Sequence, residues 1–334
     1  MKAAVFYGPR DIRVVEVETP KLEAGDILIK IRACGICGSD LHTYKLGLFL
    51  DLGTPIDSGR ILGHEFSGDV VEVGGQVEGL KVGDRVTAIS MGAEAEFLKI
   101  PAFMTPVIFH VPPEVSHEEA ATNEPLATSL HAVGLASPAN GETIVILGAG
   151  IIGLGVLQVL KAVSSTKVIV VDLSDKRLAM AQKLGAEVVI NPTREDPYQK
   201  MLEMTGSTKL MFLEEPVSGV DTVFDCAGGT VEYTGTPALQ QALLMVRENG
   251  KVVLVAVFEK PFEIDHNLIM RKGVSLLGSF GYSLDEFAQA LELMRSGKVD
   301  RKPLISHEFP LDRAKEAYET QLKTEEAIKV LIKP

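Results

Sequence analysis

Residues 34 to 42 read CGICGSDLH, which sets two thiols three positions apart and follows them with a hydroxyl, a carboxylate and an imidazole. Such a stretch could be a redox dithiol, half of a structural zinc site, or the source of a single metal ligand. With only three cysteines in the chain, Cys34, Cys37 and Cys226, an extracellular disulfide framework and a four-thiolate zinc ribbon are both excluded. A catalytic zinc asks for less: three protein donors and one open position, with thiolate, imidazole and carboxylate as the usual donors. Downstream, GHE offers His64 and Glu65, and NEPL offers Glu124. Cys37, His64 and one glutamate meet the requirement together. Taken singly, a cysteine also serves as a small hydrophobe, and an acid at a helix start serves the helix dipole.

A second group of residues suits a nucleotide. Gly148, Gly150 and Gly153 form G-x-G-x-x-G straight after the apolar run 144–147 and at the opening of a helix. These glycines allow a tight turn, close approach of backbone to a pyrophosphate, and packing of helix on strand. The N–H groups at the helix end then hold the anion. Another strand ends in Asp172, 19 residues after Gly153, where a carboxylate can accept hydrogen bonds from ribose hydroxyls. Like charges repel by about 4 kcal/mol at ~4 Å in a medium of effective dielectric about 20, so Asp172 disfavours a 2′-phosphate and NAD is expected over NADP. Gly148, Gly150, Gly153, Asp172 and Arg177 are the candidate cofactor residues.

The elements that must position these groups fall into two textures. The first 90 or so residues read as short strands and turns: DILIKIRA puts Ile27, Ile29 and Ile31 on one face and Lys30 and Arg32 on the other, and GD at 25–26 and 83–84 marks turns. From about residue 138, strands alternate with helices (TIVILGAG, KVIVVD, AEVVI, GVDTVFDCAG, GKVVLVAVF), a pattern that predicts parallel strands with crossover helices. From about 277 the pattern breaks, and the chain closes on the strand AIKVLI. A nucleotide-binding domain at 138–276, inserted into a discontinuous β-rich domain of 1–137 and 277–334, is expected. TKLMFLEEPVSG at 208–219 reads as an insertion, and Cys226 reads as core.

Composition excludes several classes. Acidic residues outnumber basic ones by 45 to 33, with no basic stripe to track a phosphate backbone, so nucleic acid is not expected as a partner. The start, MKAAVFYGPRDIRVVEVE, lacks the features of a secretory signal, and a cytoplasmic location is expected. Residues 144–160 carry no charge, but four glycines assign the run to the buried strand and helix of the nucleotide site rather than to a membrane span.

CGICGSDLH, ILGHEFSGDVVEVG, VGDRV, NEPLATSLHAV and VILGAGIIGLGVLQVLKA, in this order and at these spacings, resemble the zinc-dependent medium-chain dehydrogenases, nearest the sorbitol (polyol) and threonine dehydrogenase branch. The resemblance covers nearly the whole chain. It implies an α/β protein with a GroES-like β-rich catalytic domain and a Rossmann coenzyme domain, a doubly wound parallel sheet. It implies one catalytic Zn2+ on Cys37 and His64 with Glu65 or Glu124, NAD as cofactor, and a small-molecule alcohol as substrate. It gives Ser39 as the hydroxyl beside the substrate oxygen, His42 as an outer proton relay, Asp40 as the carboxylate orienting His64, and no role to Cys34. It also implies a homodimer or homotetramer.

The chain departs from that pattern in two places. GDRVTAISMGAEAEFLKIPA runs past the point where four cysteines would hold a structural zinc, so that lobe and its metal are expected to be missing. Gly281 precedes Tyr282 where polyol enzymes place an arginine, and Thr43 follows His42 where a tyrosine is expected, so a sugar alcohol is not secured as substrate. The implied reaction is hydride transfer between a secondary alcohol and NAD, giving a ketone. A zinc-free quinone- or enoyl-type reductase and a non-catalytic NAD-binding redox sensor are the alternatives.

Overall fold

The computed structural model describes residues 1–49, 59–211, 213–231 and 234–334. The chain divides into two compact units, Met1–Glu124 with Phe287–Pro334, and Pro125–Glu286.

The first unit is built on a seven-stranded sheet ordered Ile305–Pro310, Lys329–Lys333, Ile27–Gly35, Glu65–Val73, Arg85–Ala88, Ile108–His110, with Phe97–Ile100 also paired to Ile27–Gly35. Side chains alternate across a strand. Ile27, Ile29 and Ile31 are accordingly fully buried, while Arg32 is exposed and bonds Asp69 at 2.6 Å. The strand Ile27–Gly35 pairs antiparallel with Glu65–Val73 and with the closing strand Lys329–Lys333. Residues far apart in the chain, Cys34, Phe66 and Ile332, thereby sit in one register. A smaller sheet, Asp11–Glu16, Lys2–Gly8 and Arg60–Ile61, completes the unit.

The second unit is built on a six-stranded, all-parallel sheet in the order Val188–Ile190, Lys167–Val171, Thr143–Leu147, Val220–Asp225, Val246–Leu254, Ser275–Gly278. Reading outward from the first strand, the order reverses between Thr143–Leu147 and Val220–Asp225, the switch point at which such sheets bind ligands. The central strands Thr143–Leu147 and Lys167–Val171 carry continuous apolar runs that are buried on both faces. Val145, Ile146, Val170 and Val223 are wholly buried. The segment 208–219, of which Phe212 lies outside the described residues, contributes Val217–Ser218 to a two-stranded pair with Ser207–Thr208. Leu213 and Val217 pack into the core of this unit. No helix among the described residues is long and apolar enough to cross a membrane.

Candidate functional site

The strand Ile27–Gly35 leads into helix Gly38–Leu46, with Cys37 at its N-cap. The Cys37 N–H donates to Asp40 Oδ2 at 3.0 Å, so the carboxylate fixes the turn that presents the thiol. His64 and Glu65 arrive at the start of Glu65–Val73, the strand paired with Ile27–Gly35. Gly63, with φ +86°, makes that arrival possible: a Cβ there would lie 2.6 Å from Cys34 Sγ and 2.8 Å from Glu94 Cγ. One donor atom each from Cys37, His64 and Glu65 lies within 4.8 Å of the others.

The surroundings are anionic. Burial opposes charging His64, but Cys37, Asp40 and Glu124 together raise its pKa well above the usual imidazole value. Burial raises the Cys37 thiol, with Glu65 and Glu124 adding to the effect and His64 opposing it. Among the described residues His64 Nδ1 and Glu65 Oε1 are buried with no hydrogen-bond partner, whereas buried polar atoms ordinarily have one. Soft thiolate, imidazole and carboxylate converging where acids accumulate and polar atoms stand unpaired fit a zinc ion with a fourth position open.

The two glutamates left open by the sequence differ in placement. Glu65 is 1% exposed, within the three-donor group, and its Oε2 is ion-paired with Lys329 Nζ. Glu124 opens the helix Asn123–Ala136, outside that group, and acts on Cys37 and His64 through its charge. Asp40 Oδ1 lies 3.8 Å from His64 Nδ1, an ion-pair distance rather than a hydrogen bond, while its Oδ2 accepts from the Cys37 N–H. Ser39 and His42 lie on the same helix as Cys37, both partly exposed, and the His42 ring meets Phe49 edge-on with centroids 6.2 Å apart. Thr43 is buried and donates to the Leu48 carbonyl at 2.8 Å. Cys34 is wholly buried, and burial drives its thiol pKa well up, so it packs rather than reacts. Among the described residues all three cysteines are unbonded thiols.

Several polar residues behind the metal group were not legible as such. Lys329 and Arg301 are fully buried, and Glu94 accepts from Tyr318 Oη at 2.8 Å in the interior. Lysine inside the apolar strand AIKVLI was the one available signal. Ser67 Oγ lies 2.5 Å from His117 Nδ1, and His117 Nε2 lies 3.2 Å from Asp69, an arrangement like a hydrolase triad. Ser67 is wholly buried, so the three tie helix His117–Ala120 to its strand and reach no substrate.

In the second unit, Gly148–Gly153 join strand Thr143–Leu147 to helix Ile151–Val163. A Cβ on Gly153 would lie 1.9 Å from the Gly148 carbonyl oxygen, so helix and turn touch with no room for a side chain. Asp172 Oδ2 accepts from the Ala149 N–H at 2.6 Å and Oδ1 from the Ser174 N–H at 2.8 Å. The carboxylate thus holds the glycine turn, and each oxygen keeps a lone pair for a further donor. Ser174, not Asp172, caps helix Asp175–Lys183. Arg177 reaches back so that its Nη1 would be 3.9 Å from a Cβ on Gly150. Cys226 follows the end of Val220–Asp225, partly exposed, and donates its N–H to the Leu147 carbonyl at 2.8 Å. Tyr282 follows Gly281, which has φ +70°.

Residues 23–101 match the alcohol dehydrogenase GroES-like domain and residues 152–296 match the zinc-binding dehydrogenase family. The chain is 34% identical to the (R,R)-butanediol dehydrogenase of Bacillus subtilis (strain 168), covering 100% of both. It is 31% identical to the sorbitol dehydrogenase of the same organism, covering 100% of this chain and 97% of that one. The crystal structure of 2R,3R-butanediol dehydrogenase from Bacillus subtilis superposes with a TM-score of 0.85 at 32% identity, over 100% of this chain and 99% of that one.

Proposed function

The chain belongs to the zinc-binding medium-chain dehydrogenases, and from that premise we propose that it oxidises a secondary alcohol to a ketone and passes the hydride to NAD. The convergence of Cys37, His64 and Glu65 within 4.8 Å carries the reading, since a zinc-free quinone- or enoyl-type reductase would have no use for these three donors together. A non-catalytic redox sensor would have none either.

When bound, zinc supplies a Lewis acid that brings a substrate hydroxyl's pKa toward neutrality, and NAD supplies the hydride acceptor. Cys37, His64 and Glu65 hold the metal, with Glu124 as the alternative carboxylate donor. Asp40 keeps Cys37 at the helix start, where the N-terminal dipole favours a thiolate. Ser39 takes the hydroxyl proton, and His42, three residues on along the same helix, relays it to solvent. Gly148, Gly150 and Gly153 with the helix N-terminus hold the pyrophosphate, and Asp172, supported by Arg177, accepts from the ribose hydroxyls of NAD.

The substrate class follows from the relatives: vicinal diols and polyols, or a related hydroxy compound. The edge strand Ser275–Gly278 has one unpaired side, next to Phe280 at 97% exposure, which supports assembly with a second copy into a homodimer or homotetramer. Three unbonded thiols suit the reducing cytoplasm. Metal analysis combined with NADH formation over butanediol, sorbitol, threonine and cyclic secondary alcohols tests the function. Zinc-dependent NADH formation with at least one of these alcohols is expected. Turnover by protein that holds no metal would sink the reading.

A further inference from the structure

Lys329 lies 264 residues from Glu65, yet strand pairing brings the two together in the interior, each side chain 1% exposed. Its Nζ is ion-paired with Glu65 Oε2 and donates to the carbonyl of Ile36, the residue before Cys37, at 2.8 Å. The carboxylate is pressed against the strand it faces: a Cβ on Gly35 would lie 2.6 Å from Glu65 Oε2. Oε2 is therefore committed, while Oε1 is buried with no partner among the described residues. One ammonium touches the carboxylate of one donor and the backbone next to another.

We propose that Lys329 is a positioning residue of the metal centre, a built-in counter-cation that competes with zinc for Glu65 and leaves the metal a single oxygen of that carboxylate. This rests on the zinc reading above. A buried carboxylate is costly without a compensating cation. In the metal-free chain Lys329 meets that need, so zinc gains less from Glu65 than it would from an uncompensated carboxylate, and it also meets the repulsion of a nearby ammonium. Removing the ammonium destabilises the metal-free state more than the loaded one, and by linkage zinc affinity rises. A lysine that only filled space would give the opposite: a less stable protein with no gain in affinity.

The test uses the full chain, stripped of metal, as wild type, Lys329→Met and Lys329→Arg. Each is titrated with Zn2+ against a chromophoric chelator and with Co2+ by its d–d absorption, and melted with and without zinc. Lys329→Met is expected to bind zinc about tenfold more tightly, to melt lower without metal, and to gain more from zinc than wild type. Lys329→Arg should keep wild-type values. Unchanged or weaker zinc affinity in folded Lys329→Met overturns the proposal. Should that variant fail to fold, Lys329→Gln, which retains a donor for the Ile36 carbonyl, carries the same expectation at about fivefold. In a Glu65→Gln background only the relief of repulsion remains, so the Lys329 substitution should tighten zinc by much less than tenfold, and a full tenfold gain there would also overturn it. Cys37→Ser is the control: if it binds zinc as wild type does, the zinc reading itself fails and takes this inference with it.

Discussion

At Cys37 a backbone N–H is held by Asp40 and the thiol faces His64, whereas three residues earlier Cys34 is wholly buried beneath Gly63. The two thiols of the CGICGSDLH stretch therefore answer to different physics. Cys37→Ser should lose zinc and nearly all hydride transfer while still binding NADH, because the glycine turn and Asp172 are untouched. Cys34→Ala should keep metal and activity and lose roughly 1 to 3 kcal/mol of stability. Zinc content, NADH affinity and turnover of both mutants check this, and equal loss of zinc would make Cys34 a ligand. A residue that sequence reading passed over supplies a pH dependence. Asp225, buried at the end of its strand, accepts from the Ala227 and Gly228 N–H groups at 3.1 Å each, and burial pushes its carboxyl up to about 6. A carboxyl raised on folding contributes stability that is fully present below its unfolded value near 4 and is lost as pH rises through about 6. Asp225→Asn should therefore gain on wild type by on the order of 2 to 3 kcal/mol between about pH 4 and pH 7, as urea unfolding at the two ends would show. A difference that does not change with pH would refute this.

At the scale of elements, what the sequence made legible was periodicity and punctuation. Alternation in DILIKIRA follows from a half-buried antiparallel strand, and the unbroken apolar runs around residues 144 and 168 follow from a parallel sheet covered on both faces. The glycine turn was readable because only a missing side chain lets helix and strand touch. Gly153→Val should abolish NADH binding by driving the helix from the Gly148 carbonyl, with zinc content unchanged in the other unit. Calorimetric titration with NADH alongside metal analysis would check it, and retained NADH affinity would contradict it. Pairings between distant elements were not readable. The Lys329–Glu65 ion pair depends on strand register and the Glu94–Tyr318 bond on the packing of helix Ala314–Gln321, each across more than 200 residues, which no local pattern encodes.

Across the whole molecule, the sequence distinguished a β-rich texture from an alternating one, and the resemblance extended that to a catalytic and a coenzyme domain. The inserted look of 208–219 had no functional explanation in the sequence, and in the fold the segment contributes Leu213 and Val217 to a core. Between strands Arg85–Ala88 and Phe97–Ile100 only residues 89–96 intervene, none of them a cysteine, so one zinc per chain is expected. A single zinc at Cys37, His64 and Glu65 is what would make the chain a dehydrogenase of secondary alcohols. The most direct measurement strips the metal, restores zinc in sub-stoichiometric steps, and follows NADH formation from a secondary alcohol at each step. Negligible turnover is expected in the stripped enzyme, then a linear rise that levels off at one zinc per chain, with no recovery in Cys37→Ser. Full turnover before zinc is restored, or recovery that needs a second equivalent, would contradict it.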